Sequence, residues 1–158
     1  DGGTVPKDEA KARHFLSLAA VNGDKEAAAR LASLDQPNRP ISEFEQAERL
    51  SSRGQHVEAA VIFRRLADAG NVTARTRLAW MYEAGRGVER SLAEAARLFM
   101  QSAEAGDAEA QYAIAVMYRT GKGQPQDREQ SLAWLKRSAG QNYPAAVAAM
   151  AAEVGGGL

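Results

Sequence analysis

Apolar residues recur along this chain at intervals of three and four, the spacing that gathers them on one face of an α-helix. Between Asn71 and Ala84 the face is Ala74, Leu78, Met81 and Tyr82, and between Leu92 and Ala105 it is Ala95, Leu98, Phe99 and Ala103. The residues between these runs are the ones that stop and start helices. Gly85 stands where a helix ends in a left-handed residue, and Gly87 keeps the turn free of side chains. Val88 closes the loop, Ser91 is placed to cap the second helix, and Gly106 ends it. The pattern predicts a helical hairpin.

The hairpin repeats. A shift of 36 residues superposes Gly70 on Gly106, Ala74 on Ala110, Leu78 on Ile114 and Ala103 on Ala139. It also lays Met81-Tyr82 on Met117-Tyr118 and Gly85-Arg86-Gly87 on Gly121-Lys122-Gly123. In the second copy Asp127 takes the capping place of Ser91, after Pro125, and Asn142 takes the place of Gly106. The beginning of the chain carries the back half of the same unit. Val5, Asp8, Ala12, Phe15, Leu16, Ala20 and Gly23 match Val88, Ser91, Ala95, Leu98, Phe99, Ala103 and Gly106 in order.

The organisation read from these signals is a partial repeat and the first helix of a following unit over 1–34, with Ala27, Leu31 and Ala32 inward. A link with two prolines follows at 35–40, since Pro37 and Pro40 stop a helix and favour extended chain. A shorter hairpin occupies 41–70, with Ala47, Leu50, Ala59 and Phe63 inward, a tight turn at Gly54, and Gln46 and His56 where apolar residues are usual. Full units fill 71–105 and 106–142, and 143–158 supplies a last helix, Ala145–Glu153, and a frayed Gly155-Gly156-Gly157.

These residues resemble the Sel-1-like repeat, a relative of the tetratricopeptide repeat; the hairpin at 41–70 is closer to a degenerate tetratricopeptide unit. Ala74, Leu78, Met81, Tyr82, Gly85, Gly87 and Val88 carry the likeness in one unit, and Met117, Tyr118, Gly121, Gly123, Asp127, Trp134 and Ala139 in the next. Thr4, Ala79, Ala115 and Gln124 depart from the pattern. The resemblance implies an all-α fold, a right-handed α-solenoid of antiparallel helical hairpins forming one continuous array. It also implies a non-catalytic adaptor or scaffold. Many bacterial members are exported, and some assist exopolysaccharide secretion or envelope organisation, which favours periplasm or cell envelope over cytoplasm.

Composition narrows the chemistry. Basic and acidic residues balance at 20 each, so the basic surplus that nucleic-acid binders need is absent. No stretch approaches the length of a transmembrane helix. The chain has no cysteine, which removes disulfides, thiolate zinc sites and a cysteine nucleophile. His14 and His56 lie on different hairpins without further ligands at metal spacing. Gly121-Lys122-Gly123 lacks the rest of a phosphate loop and has its repeat copy at Gly85-Arg86-Gly87, which marks a turn. Asp107 and Glu109 open a helix, where carboxylates interact favourably with the helix dipole. No catalytic centre, cofactor or metal site is expected.

One aromatic falls off the core face. At ~100° per residue, Trp80 points to the side opposite Leu78 and Tyr82, with Thr73, Arg77 and Ala84. One repeat later, Tyr112 and Val116 share that side, with Arg119 beside them. If the first helices of the hairpins line the concave face, Thr73, Arg77, Trp80, Tyr112, Val116 and Arg119 form a half-apolar stripe there. Trp, Tyr and Arg are the residues most enriched at binding hot spots. Trp80 packed on the next hairpin or on the last helix is the other reading.

Two functions of different class follow. One is a protein-interaction scaffold that grips a partner along this stripe. The other is an accessory factor of envelope or exopolysaccharide assembly that touches glycan or a cell-wall enzyme. The sequence also reads as a piece of a longer solenoid, because Asp1 falls inside a repeat loop. Phe15, Leu16 and Leu18 would then form an apolar patch, open to self-association or to repacking across Pro37–Pro40.

Overall fold

The computed structural model describes residues 40–156, together with His14, Gly23, Lys25, Glu26 and Ala28. The chain separates into two compact units, Asp1–Ile41 and Ser42–Leu158. In the first, His14, Lys25, Glu26 and Ala28 are helical and Gly23 has a φ of 92°. The rest of the two helices expected over Lys7–Asn22 and Asp24–Leu34, the Pro37 end of the link, and the patch at Phe15, Leu16 and Leu18 lie outside the described residues.

The second unit is built of seven helices among the described residues. They are α1 (Glu43–Ser52), α2 (His56–Asp68), α3 (Val72–Ala84), α4 (Leu92–Glu104), α5 (Ala108–Thr120), α6 (Arg128–Gly140) and α7 (Pro144–Gly156). Each packs on the next in chain order, and no strand occurs among the described residues. The fold is an all-α right-handed solenoid of antiparallel hairpins. Helix starts follow one rule: the side chains of Ser42, Asn71, Ser91, Asp107 and Asp127 each accept from the backbone N–H three residues on, satisfying an orphan donor of the first turn. Helix α2 departs from it, since Gln55 makes no such bond, and α7 starts directly on Pro144.

Small side chains let the helices approach closely. Ala74, Ala79, Ala95, Ala110 and Ala115 are buried around Leu78, Phe99 and Ile114, the largest enclosed apolar side chains. Met81 and Met117 are equally exposed, at 6%, so the 36-residue shift holds in space. It holds in the polar contacts too. Ser102 Oγ donates to the Val72 carbonyl at 3.4 Å, and Ser138 Oγ donates to the Ala108 carbonyl at 2.7 Å, each spanning 30 residues.

The glycine loops show why the repeat needs a second glycine. Gly87 and Gly123 have φ of 73° and 74°, and each sits against the first residue of a second helix from the hairpin before it. A Cβ atom at Gly87 would stand 2.2 Å from the His56 carbonyl oxygen, and one at Gly123 would stand 2.5 Å from the Leu92 carbonyl oxygen. The loop is seated on backbone, which only glycine permits.

Three expectations change in detail. Tyr82 and Tyr118 are half-buried, because a phenol needs a polar partner; Tyr82 finds one in Arg64, whose guanidinium hydrogen-bonds its hydroxyl and lies 5.6 Å from its ring centre. His56, which stands where an apolar residue is usual, is the first residue of α2 and is half-buried. Helix α7 begins at Pro144, where a proline costs no hydrogen bond, and continues through Gly155 and Gly156.

Asp107 ties neighbouring hairpins together. Its Oδ2 accepts from the Ala110 N–H at 3.1 Å and from the buried Thr76 hydroxyl at 2.7 Å. Asp107→Ala removes a cap and leaves the Thr76 hydroxyl only its longer bond to the Val72 carbonyl at 3.2 Å, so urea unfolding should show a loss of about 2 kcal/mol. Ser91→Ala, which removes a cap alone, should lose about half as much. Equal losses would mean that the Thr76 bond carries nothing.

Candidate partner-binding groove

Helices α1, α3, α5 and α7 are the first helices of successive hairpins, and polar side chains link three of them. Arg77 on α3 lies 3.3 Å from Glu48 on α1 and 3.7 Å from Glu109 on α5. Trp80, one turn on, donates its Nε1–H to Glu109 Oε1 at 2.9 Å. All three charged groups remain partly exposed, so each ion pair contributes at most about 1 kcal/mol. Their effect is orientation, holding the guanidinium and the indole side by side.

Trp80 answers both readings of it. Its ring meets Phe99 of its own hairpin edge-on, with centroids 4.8 Å apart and planes at 76°. It packs there, and not on the last helix, and yet is left half-exposed. The exposed part opens on a cleft of about 600 Å³ whose walls include Glu48, Ser52, His56, Arg77 and Arg86. His56 Nδ1 is buried beside this cleft without a hydrogen-bond partner.

The remaining stripe residues gather elsewhere. Tyr112 leans on Tyr143, with ring centroids 5.6 Å apart, and Val116 and Arg119 border a narrow hollow closed by Ala149 and Glu153 of α7. Burial raises the Tyr143 phenol above its ordinary pKa, and the carboxylate of Glu109 adds to the effect. Thr73 is exposed and borders neither depression. The structure therefore joins Arg77 to Trp80, and Tyr112 to Val116 and Arg119, as two clusters on one row of helices.

Sequence reasoning missed Glu48, and left Glu109 out of the partner-binding residues. Glu109 had a signal, since it falls one repeat after Thr73 on the same stripe. Glu48 had none, because α1 lies outside the repeat register. Among the described residues no group of three His, Asp or Glu side chains could hold a metal ion, and no helix is long and apolar enough to cross a membrane.

The Sel1 repeat model matches residues 1–24, 72–107 and 108–143, more than half of the chain. The chain belongs to the Sel1 repeat family. The match takes in both full hairpins, α3–α4 and α5–α6, and the segment at the start of the chain; α1, α2 and α7 fall outside it. Among solved structures, a Sel1 repeat protein from Oxalobacter formigenes is 30% identical with a TM-score of 0.62, over 65% of this chain and 42% of that one. The protective antigen c5321 of uropathogenic Escherichia coli, described as having an SLR fold, is 29% identical with a TM-score of 0.58, over 92% of this chain and 36% of its own. The chain thus spans less than half the length of either. Helicobacter pylori cysteine rich protein B, 19% identical with a TM-score of 0.55, covers 94% of this chain and 98% of its own and shares the fold. A comparison with curated proteins found no match. Sel1 repeat proteins are in general non-catalytic scaffolds for protein interactions.

Proposed function

We propose that this Sel1 repeat protein holds a segment of a partner protein on the concave row of first helices, with Trp80 and Arg77 as the anchor. Tyr112, Val116 and Arg119 extend the contact along the row, and Thr73 borders it. The observation that carries this reading is the pre-set pair. Phe99 and Glu109 fix the indole, two carboxylates fix the guanidinium, and both side chains border an open cleft. Groups already held in place lose little freedom on binding, which leaves more of their contact energy for affinity.

Trp80→Ala also strips packing from Phe99, so Arg77→Ala is the cleaner test. Against the protein captured by the wild-type chain, Arg77→Ala should weaken binding about tenfold or more, as for a hot-spot arginine. Its thermal melt should stay within a few degrees, as for an exposed residue. Unchanged affinity in both Arg77→Ala and Trp80→Ala would remove the anchor from this cleft. The hydroxyls of Ser51 and Ser52 and the Glu48 carboxylate around the indole also suit a sugar, which favours the second reading, an accessory role in envelope or exopolysaccharide assembly. A saturable change in Trp80 fluorescence with soluble cell-wall glycan, kept in Trp134→Phe and lost in Trp80→Phe, would select it.

A further inference from the structure

Helix α1 is one turn too short for the row it belongs to. It has 10 residues, whereas α2 to α7 have 13 each. Counted from the caps Ser42 and Asn71, Ser52 at the end of α1 corresponds to Met81, and Tyr82, Glu83 and Ala84 have no counterpart. The turn after it is compressed as well, to Arg53-Gly54-Gln55 where the repeat has Gly85 to Ser91. The cleft of about 600 Å³ at Trp80 lies where that turn is missing. Its walls include Ser51 and Ser52 at the end of α1, and Glu83 and Ala84 on the unmatched turn of α3.

The chemistry left over in the cleft selects a cation. The Trp80 N–H is given to Glu109, and an indole has no second donor, so its exposed part offers π surface, which attracts cations. Glu48 and Glu109 both pair with the single guanidinium of Arg77. Glu83 and Arg86 form no ion pair among the described residues, and Arg86 stands exposed at the rim. Carboxylates around the ring thus outnumber guanidiniums: Glu48, Glu83 and Glu109 against Arg77 and Arg86. Met81 and Ala84 add an apolar wall, against which the aliphatic stem of a charged side chain can lie.

We infer that the space of the missing turn receives a lysine or arginine side chain of the partner, its stem along Trp80 and Ala84 and its charge at Glu83 and Glu48. This rests on the groove being the partner's site, and it states what the partner must carry there. Arg77, already matched by two carboxylates, keeps N–H donors for main-chain carbonyls of the bound segment, so its charge does not set the sign of the ligand.

The indole N–H resonances of the full chain report the contact. Its two tryptophans are distinguished by the signal lost in Trp80→Phe, and Trp134 serves as the internal control. Titration at about pH 8, where histidine is neutral, with acetylated, amidated Ala-Ser-Arg-Ser-Ala should shift the Trp80 signal saturably and leave Trp134 in place. The same peptide with Glu or Leu at its centre should shift neither. Glu83→Gln should weaken the arginine peptide about threefold and Arg86→Ala should tighten it about twofold, the scale of exposed charge pairs. Neither residue is buried, so both variants should keep the wild-type helical spectrum. A Trp80 signal that ignores the arginine peptide, follows the glutamate or leucine peptide, or responds equally in Glu83→Gln and Arg86→Ala overturns the inference. The groove itself fails separately, through unchanged partner affinity in both Arg77→Ala and Trp80→Ala.

Discussion

Phe99→Ala is expected to lower the unfolding free energy of the helical unit by about 3–5 kcal/mol, the range for removing an enclosed aromatic from a core. Phe99 is the largest fully buried side chain of the unit, and it is also the surface on which Trp80 rests. The loss therefore has two parts, a cavity beside Leu98 and Ala95 on α4, and an indole with nothing to meet. Equilibrium urea unfolding followed by circular dichroism measures it. Phe99→Leu keeps most of the volume and should lose much less, about 1–1.5 kcal/mol. If both variants lose the same, the ring contact with Trp80 is what matters, not the cavity.

A comparable loss is expected from a single methyl group. Gly87→Ala should destabilise the fold by about 3 kcal/mol, combining about 1 kcal/mol for positive φ with the strain of overpacking against a neighbour that cannot yield. The neighbour is the His56 carbonyl, which is backbone and belongs to the start of α2. Gly106→Ala provides the contrast. Its φ is 99°, but a Cβ there meets nothing within 4 Å, so only the conformational cost of about 1 kcal/mol applies. Parallel denaturation curves give the difference directly. A Gly106 variant as damaged as the Gly87 variant would show that conformation alone sets the scale.

That pair marks where reading the sequence runs out. The hairpins were legible because their punctuation is local: Asn71, Ser91, Asp107 and Asp127 cap within three residues, and Gly85 and Asn142 turn the chain at their own φ. The twofold recurrence of Met-Tyr then fixed the register. The role of Gly87 was only half legible. Positive φ follows from the turn, whereas the carbonyl it presses on lies 31 residues earlier, in a hairpin whose register with the repeat is degenerate.

The candidate groove divides in the same way. Helical geometry alone put Trp80 and Arg77 together, since they are three residues apart on one helix. The carboxylates that hold them come from α1 and α5, 29 residues away from Arg77 and from Trp80 respectively, and their pairing depends on rotamers that periodicity does not encode. Tyr112 was legible as a stripe residue. Its companion Tyr143 was not, because it lies just before α7, outside the helix to which the periodicity applied.

The seating of each glycine loop gives the solenoid a direction. Gly87 leans back on the start of α2, and Gly123 leans back on the start of α4. For the loops, support therefore runs one way, as in overlapping roof tiles, where each course holds down the one laid before it. Loosening α5–α6 uncovers the head of α4 but leaves its own loop seated. Loosening α1–α2, by contrast, takes away the surface on which the loop of the next hairpin rests. Damage near the beginning of this unit thus unseats the loop that follows it, while damage near its end leaves the earlier loops seated.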